Sequence, residues 1–264
     1  MQYMTVGKSN ILMPASSFWN VDKENPVYKG RRISPVRSPD ADLIPVLGEQ
    51  HASSSDLVKN EPISSAAINT MVNGTVGSGM RPESQIDFER AGISENQATD
   101  LQKQAEFLFG FMATSEWDIS KNYNFWDVEN LLYASSLEFG DSFAIKRFDP
   151  EREFLGLSIQ LIEGSRVKTP PEKYYQENIR GGVRIDKSTG EKKSIFIQEN
   201  DEYGMDHSEI KFKEVGVRNK KNQRQVLIIE EPKRIGQTRG IPYLSVITNI
   251  IKQLGRGSKI RMLR

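Results

Sequence analysis

Apolar residues change their spacing near the middle of the chain. Up to residue 140 they recur every three or four positions, and beyond it they fall in short alternating runs. Ala52 to Val76 reads as helix, broken at Asn60-Glu-Pro62, where Asn60 is expected to cap a second helix with Pro62 in its first turn. In that second helix Ile63, Ala66, Ala67 and Met71 form one apolar stripe and Ile68, Val72 and Val76 a neighbouring one, which predicts a broadly buried helix. Ser94-Glu-Asn-Gln97 is a capping box opening a third helix, with Leu101, Ala105, Leu108 and Met112 at core spacing and Phe107 and Phe111 widening the face. Asn124 caps a fourth helix carrying Val128, Leu131, Leu132 and Phe139, and Gly140 closes it. Residues 141–147, 157–162, 182–185, 194–197, 209–212 and 225–229 then read as strands separated by turn signals. Helices first and strands afterwards predict an α+β fold with a mostly antiparallel sheet.

The last strand runs into Pro232-Lys-Arg-Ile-Gly-Gln-Thr-Arg-Gly-Ile-Pro-Tyr-Leu244, a joint from strand to helix. Gly236 and Gly240 suit unusual backbone angles or a close chain approach. Pro242 suits the first turn of a helix presenting Tyr243, Ile247, Ile250, Ile251 and Leu254. Residues 1–50 have little period, yet Phe18, Trp19 and Tyr28 are too apolar for a solvated tail, so an extended docking arm is expected there. The organisation that follows is an arm over 1–50, an α+β body over 51–240, and a helix with a basic tail over 241–264.

With 36 basic and 35 acidic residues in 264, the net charge of +1 gives no general attraction to nucleic acid or membrane, so local patches must carry any such role. The absence of cysteine excludes disulfides, thiolate metal sites and a thiol nucleophile. No apolar run reaches 18 residues and no secretory signal opens the chain, which reads as soluble and unsecreted. Gly74-Thr-Val-Gly-Ser-Gly79 follows a helix instead of preceding one and lacks the lysine of a phosphate loop, so it is read as a turn. His51 and His207 have no histidine at metal-ligand spacing, and Asp206-His-Ser208 is adjacency without the geometry of a triad. Glu230-Glu231 and similar carboxylate pairs single out no acid and base. Arg166, Arg184, Arg234 and Arg239 can bind phosphate or form structural ion pairs. Two basic runs, 29–37 and 218–224, read as solvated loops; Arg218, Lys220, Lys221 and Arg224 of the second are candidate phosphate contacts. The aromatic residues at 107, 111, 125 and 126 are assigned to the core in preference to base stacking. No catalytic motif, metal site or cofactor site is found, and the expected protein is not an enzyme and carries no cofactor.

The order of motifs resembles the portal proteins of lambda-type tailed phages over nearly the whole chain. The pieces are Asp56-Leu-Val-Lys-Asn-Glu-Pro62, Val76-Gly-Ser-Gly-Met-Arg-Pro82, Trp117-Asp118, Gly140-Asp-Ser-Phe-Ala-Ile145, Leu161-Ile-Glu-Gly-Ser-Arg-Val167 and Ile179-Arg-Gly-Gly-Val-Arg-Ile-Asp186. The most specific is the family motif Gly236-Gln237-Thr238-Arg239-Gly240-Ile241-Pro242. The chain departs from the family in having Gly140-Asp141 where a Gly-Glu pair is frequent, and in lacking a histidine in the strand before the joint. It also ends in a basic tail where the family continues into a stem and clip, so a truncated stem helix is expected.

The resemblance implies a wing-like body and a ring homo-oligomer at the capsid vertex of the virion, built in the host cytoplasm. The implied partners are double-stranded DNA in transit, capsid and scaffolding proteins and, through the clip, terminase and head-completion proteins; no membrane is implied. It offers no catalytic residue to carry over, and it casts Arg239 as a structural tether. The alternative is a non-portal nucleic-acid-binding protein using the basic loops. A phosphoryl-transfer enzyme would need a pocket where Arg166, Arg184 and Arg239 converge.

Overall fold

The computed structural model describes residues 3–5, 12–14, 36–151, 156–199, 210–248 and 251. The chain forms two compact units, 1–37 and 38–264. In the first, β1 (Tyr3–Thr5) and β2 (Leu12–Pro14) pair as an antiparallel hairpin, Met4 opposite Met13, where the sequence showed no period. Phe18, Trp19, Tyr28 and most of the 29–37 basic run lie outside the described residues.

The second unit begins with α1 (Pro39–Leu43), whose N-terminal amide at Ala41 is accepted by the Ser38 hydroxyl, and a 3-10 turn, Ile44–Val46. Next come α2 (Leu47–Asn60) and α3 (Pro62–Thr75). Asn60 does not cap α3, contrary to expectation: it is the last residue of α2, and its amide donates to Asp56 at 2.8 Å. The residue before a proline is driven out of the helical region, so Glu61, at φ −117° and ψ 109°, becomes the junction. Nor is α3 broadly buried. Ser64, Ile68, Val72 and Val76 face inward, whereas Ile63 points to solvent, because α2 and α6 cover one side only. The turn expected over 74–79 is narrower, since Gly74 and Thr75 complete α3 and the chain turns at 76–78.

After α4 (Phe88–Ala91) come α5 (Glu95–Ala113) and α6 (Phe125–Phe139), both opened by complete capping boxes, Ser94 with Gln97 and Asn124 with Asp127. Gly140 closes α6 in the left-handed region, φ 87°. The expected core face of α5 is overturned: Leu101, Phe107, Leu108 and Phe111 are exposed, and the buried residues are Ala98 and Ala113. Periodicity marks an apolar stripe without saying which part of it is covered, and here the cover is α6, where Phe109 meets Phe125 edge-on at 5.2 Å.

A three-stranded antiparallel sheet, in the order β4 (Leu157–Glu163), β3 (Asp141–Phe148), β9 (Val226–Glu230), follows α6. A second sheet runs β5 (Ile179–Arg180), β6 (Val183–Ile185), β7 (Lys192–Gln198), β8 (Phe212–Gly216). Alternation along β3 divides the core. Ala144 joins Val128 and Ile159 in one cluster, with α6 supplying Val128, while Phe143 and Ile145 join Val183, Ile195 and Ile197 of the second sheet in another. Among the strand expectations, 209–212 is displaced: β8 begins at Phe212, opposite Gln198, and runs through Lys213-Glu214 because backbone pairing with β7 sets its limits. Beyond the joint, the chain enters a 3-10 turn, Tyr243–Val246. Its fully buried residue is Leu244, packed with Leu57, Ile68 and Leu137, whereas Tyr243 and Ile247 are exposed. Ile250, Leu254 and the rest of the expected stem helix lie outside the described residues, apart from the buried Ile251. No helix among the described residues is long and apolar enough to cross a membrane.

Candidate functional site

The joint is built by short-range bonds before it makes any long-range ones. Gly236 turns the chain in the left-handed region, φ 80°. The Gln237 side chain then accepts from the backbone N–H groups of Lys233 and Arg234 at 3.1 and 3.2 Å and donates to the Arg239 carbonyl at 2.6 Å. Thr238 donates its N–H and its hydroxyl to the two oxygens of buried Asp40, at 2.8 and 2.6 Å, and Arg180 donates to the same carboxylate at 2.8 Å. Loop, first helix and second sheet thus share one carboxylate.

Arg239 lies at the centre, 1 % exposed. Its Nε and Nη2 donate to the two oxygens of buried Asp141 at 2.6 and 2.8 Å, a bidentate pair. Nη2 also donates to the Gly164 carbonyl at 2.8 Å, and Nη1 to the carbonyls of Val167, at 2.8 Å, and Gly181. A guanidinium has five N–H groups, and all five are engaged within the fold. Its acceptors sit at the start of β3, the exit from β4 and the turn between β5 and β6, so one side chain ties both sheets to the end of α6. Gly240 supplies the close approach: its N–H reaches Asp141 at 3.0 Å, and a Cβ there would overlap the Gly140 carbonyl. Pro242 then precedes the 3-10 turn.

His51 lies beside this pair, its ring edge-on to Phe139 at 5.7 Å. Burial, helped by the positive charge of Arg239, lowers its pKa to about 4. It lines a cleft of about 710 Å³ shared with Asp56, Lys59, Glu138, Glu163 and Arg166, where both signs of charge alternate.

The other candidate arginines do not converge on Arg239. Arg166 donates to the Gln198 carbonyl, Arg184 grips Glu214 with two bonds of 2.9 and 3.2 Å, and Arg234 pairs with Asp42 at 2.9 Å. No pocket that would serve a phosphoryl-transfer centre gathers Arg166, Arg184 and Arg239 among the described residues. His207 and its neighbours lie outside them. No group of three or more His, Asp or Glu among the described residues could hold a metal ion.

The basic loop between β8 and β9 is ordered by its own polar side chains. Asn219 accepts from the N–H groups of Lys221 and Gln223, both at 2.9 Å, Asn222 takes the left-handed region, and Arg218 donates to the Asn222 carbonyl. Arg218 also lies 3.6 Å from Glu191. Lys220, Lys221 and Arg224 are exposed and form no ion pair with a described residue.

The sequence reading of the site missed Asp40 and the role of Asp141. Asp141 carried a signal, an acid placed directly after a helix-closing glycine at the start of an apolar strand; Asp40, 198 residues from Thr238, carried none. A family model described as phage portal protein, lambda family, matches residues 29–263. No curated protein matches the chain. The match spans both sheets, the helices and the joint, so the chain belongs to the lambda family of phage portal proteins.

Proposed function

We propose that the chain is a structural, non-enzymatic subunit of a portal, requiring no cofactor, that self-associates into a ring at the capsid vertex after synthesis in the host cytoplasm. DNA passes through such a ring in packaging and ejection. The body, which beyond the expected 51–240 takes in the helical residues 38–50, acts as a wing, residues 1–37 as a docking arm toward capsid or scaffolding protein, and 241–264 as the entry to a stem. Terminase and head-completion proteins dock beyond that stem.

The observation that carries the structural reading is the saturated guanidinium of Arg239. The central residue of the family motif has no N–H left for a substrate or a phosphate. The joint therefore transmits position, fixing where the chain leaves the body relative to both sheets. Arg218, Lys220, Lys221 and Arg224 provide sparse, sequence-independent phosphate contact, strong enough to hold DNA near the protein and weak enough to let it slide.

Sedimentation of the purified protein over a range of concentrations tests this reading. Association into one closed species of defined mass is expected. A chain that is monomeric at every concentration, or that forms only aggregates of indefinite mass, contradicts it.

A further inference from the structure

Helix α1, where the body begins, is fastened to the joint on both sides of its turning glycine. After Gly236, Thr238 donates its N–H and hydroxyl to Asp40 at 2.8 and 2.6 Å. Before it, Arg234 donates to Asp42 at 2.9 Å. Asp40 is 5 % exposed, and Arg180 of the second sheet shares it. The point where the chain enters the body and the loop that leads toward the stem thus meet at one carboxylate, 198 residues apart.

Alone, α1 has little to hold it. It is five residues long, and isolated helices shorter than about 12 residues are marginal in water. Its link to α2 is the 3-10 turn Ile44–Val46, where Pro45 has no N–H to carry the helical ladder onward, the make-up of a hinge. What keeps α1 in place is the Ser38 cap at 3.3 Å, the buried Leu43, and the bonds of Asp40 and Asp42 to the joint and to Arg180. The hinge also touches the centre of the joint: a Cβ at Gly181 would stand 2.9 Å from both Ile44 and Arg239.

We propose that α1 and the 232–238 part of the joint form one switch that docks and releases as a unit, so that a load on residues 1–37 is felt where the chain turns toward the stem. The inference rests on the arm and stem roles given above and adds the coupling between them. Docked and released α1 are the two states that both ends bias, and the bias runs equally in either direction. Release is local, because Arg239 beyond the switch is held by both sheets.

Hydrogen–deuterium exchange of the whole chain, read by mass spectrometry on peptides covering 38–46 and 232–239, tests the coupling from each end. Ser38→Ala removes the cap of α1 and no donor or acceptor of the joint, and is expected to speed exchange about fivefold in both peptides. Thr238→Val keeps the shape of the side chain, removes one donor to Asp40, and is expected to speed both about tenfold. Peptides from β3 and β7 should keep the parent's rates. Ser94→Ala, which uncaps α5, should leave both switch peptides unchanged.

If each variant speeds only its own peptide, the coupling is overturned and the ring reading stands. A response in one direction only breaks reciprocity and overturns it too. Faster exchange in β3 and β7 as well also overturns it, since the segments then open only with the whole fold. A coupled response in a chain that is monomeric at every concentration upholds the switch and removes the ring reading. If Thr238→Val fails to fold, Ser38→Ala alone decides, by whether the joint peptide follows α1.

Discussion

Arg239→Ala removes one side chain and leaves four acceptors behind. Asp141 would stay buried with the Gly240 N–H as its remaining donor among the bonds described, and the carbonyls of Gly164, Val167 and Gly181 would each lose the N–H that now reaches them. Breaking a buried ion pair from one side costs about 3–5 kcal/mol, since the surviving charge loses its compensation. The lost carbonyl bonds do not simply add to this figure, because the same cavity admits water. Near the melting point, about 1 kcal/mol moves Tm by roughly 2–4 °C in a domain of this size, so a fall of about 10 °C or more is expected. Urea unfolding followed by tryptophan fluorescence measures the free energy directly. Arg239→Lys keeps the charge but offers three donors from one point, and should lose about 2 kcal/mol. Arg234→Ala, which removes an exposed pair with Asp42, should lose less than about 1 kcal/mol. If Arg239→Ala unfolds within about 1 kcal/mol of the parent, the central place given to this residue is wrong.

His51 makes stability depend on pH. Its pKa is about 4 in the fold, lowered by burial and by the charge of Arg239, against 6.5 for the ordinary side chain, so the unfolded chain binds the extra proton between these values. The stabilising contribution is therefore complete above about pH 6.5 and lost as pH falls toward 4, with about 2 kcal/mol gone by pH 5. Urea titrations of the parent and of His51→Gln at pH 7 and 5 should differ by that amount, and equal slopes would contradict the prediction. Gly240→Ala forces a methyl group into the Gly140 carbonyl and should cost about 3 kcal/mol in the same assay. Replacing Lys220, Lys221 and Arg224 together by Gln should lower the slope of log affinity for duplex DNA against log salt by about 2.7, at about 0.9 per phosphate contact. An unchanged slope would remove the loop from any role at DNA.

The sequence disclosed what neighbouring residues decide. The capping boxes at Ser94 and Asn124 lie within four residues, so the starts of α5 and α6 were legible, as was the left-handed Gly140 that ends α6. The joint was legible for the same reason, its glycines placed where the chain turns at Gly236 and where it touches another backbone at Gly240. Long-range choices were not. Phe107 and Phe111 have the spacing of a core stripe, and only the position of α6 shows that it buries the other side of α5 and leaves these rings largely exposed. Asp40 meets Thr238 across 198 residues, a contact with no local trace. Asn60 and Glu61 show the intermediate case: the break was visible, but the stiffness that Pro62 imposes on its predecessor decided which of them forms the junction.

The central claim is that this portal-family chain is a ring-forming structural subunit whose body is locked by Arg239. Negative-stain electron microscopy of the purified protein at rising concentration tests it most directly. The account predicts closed rings with a central opening, in proportion to the mass increase seen in solution. Monomers alone, or open filaments from contacts that do not close, would contradict it.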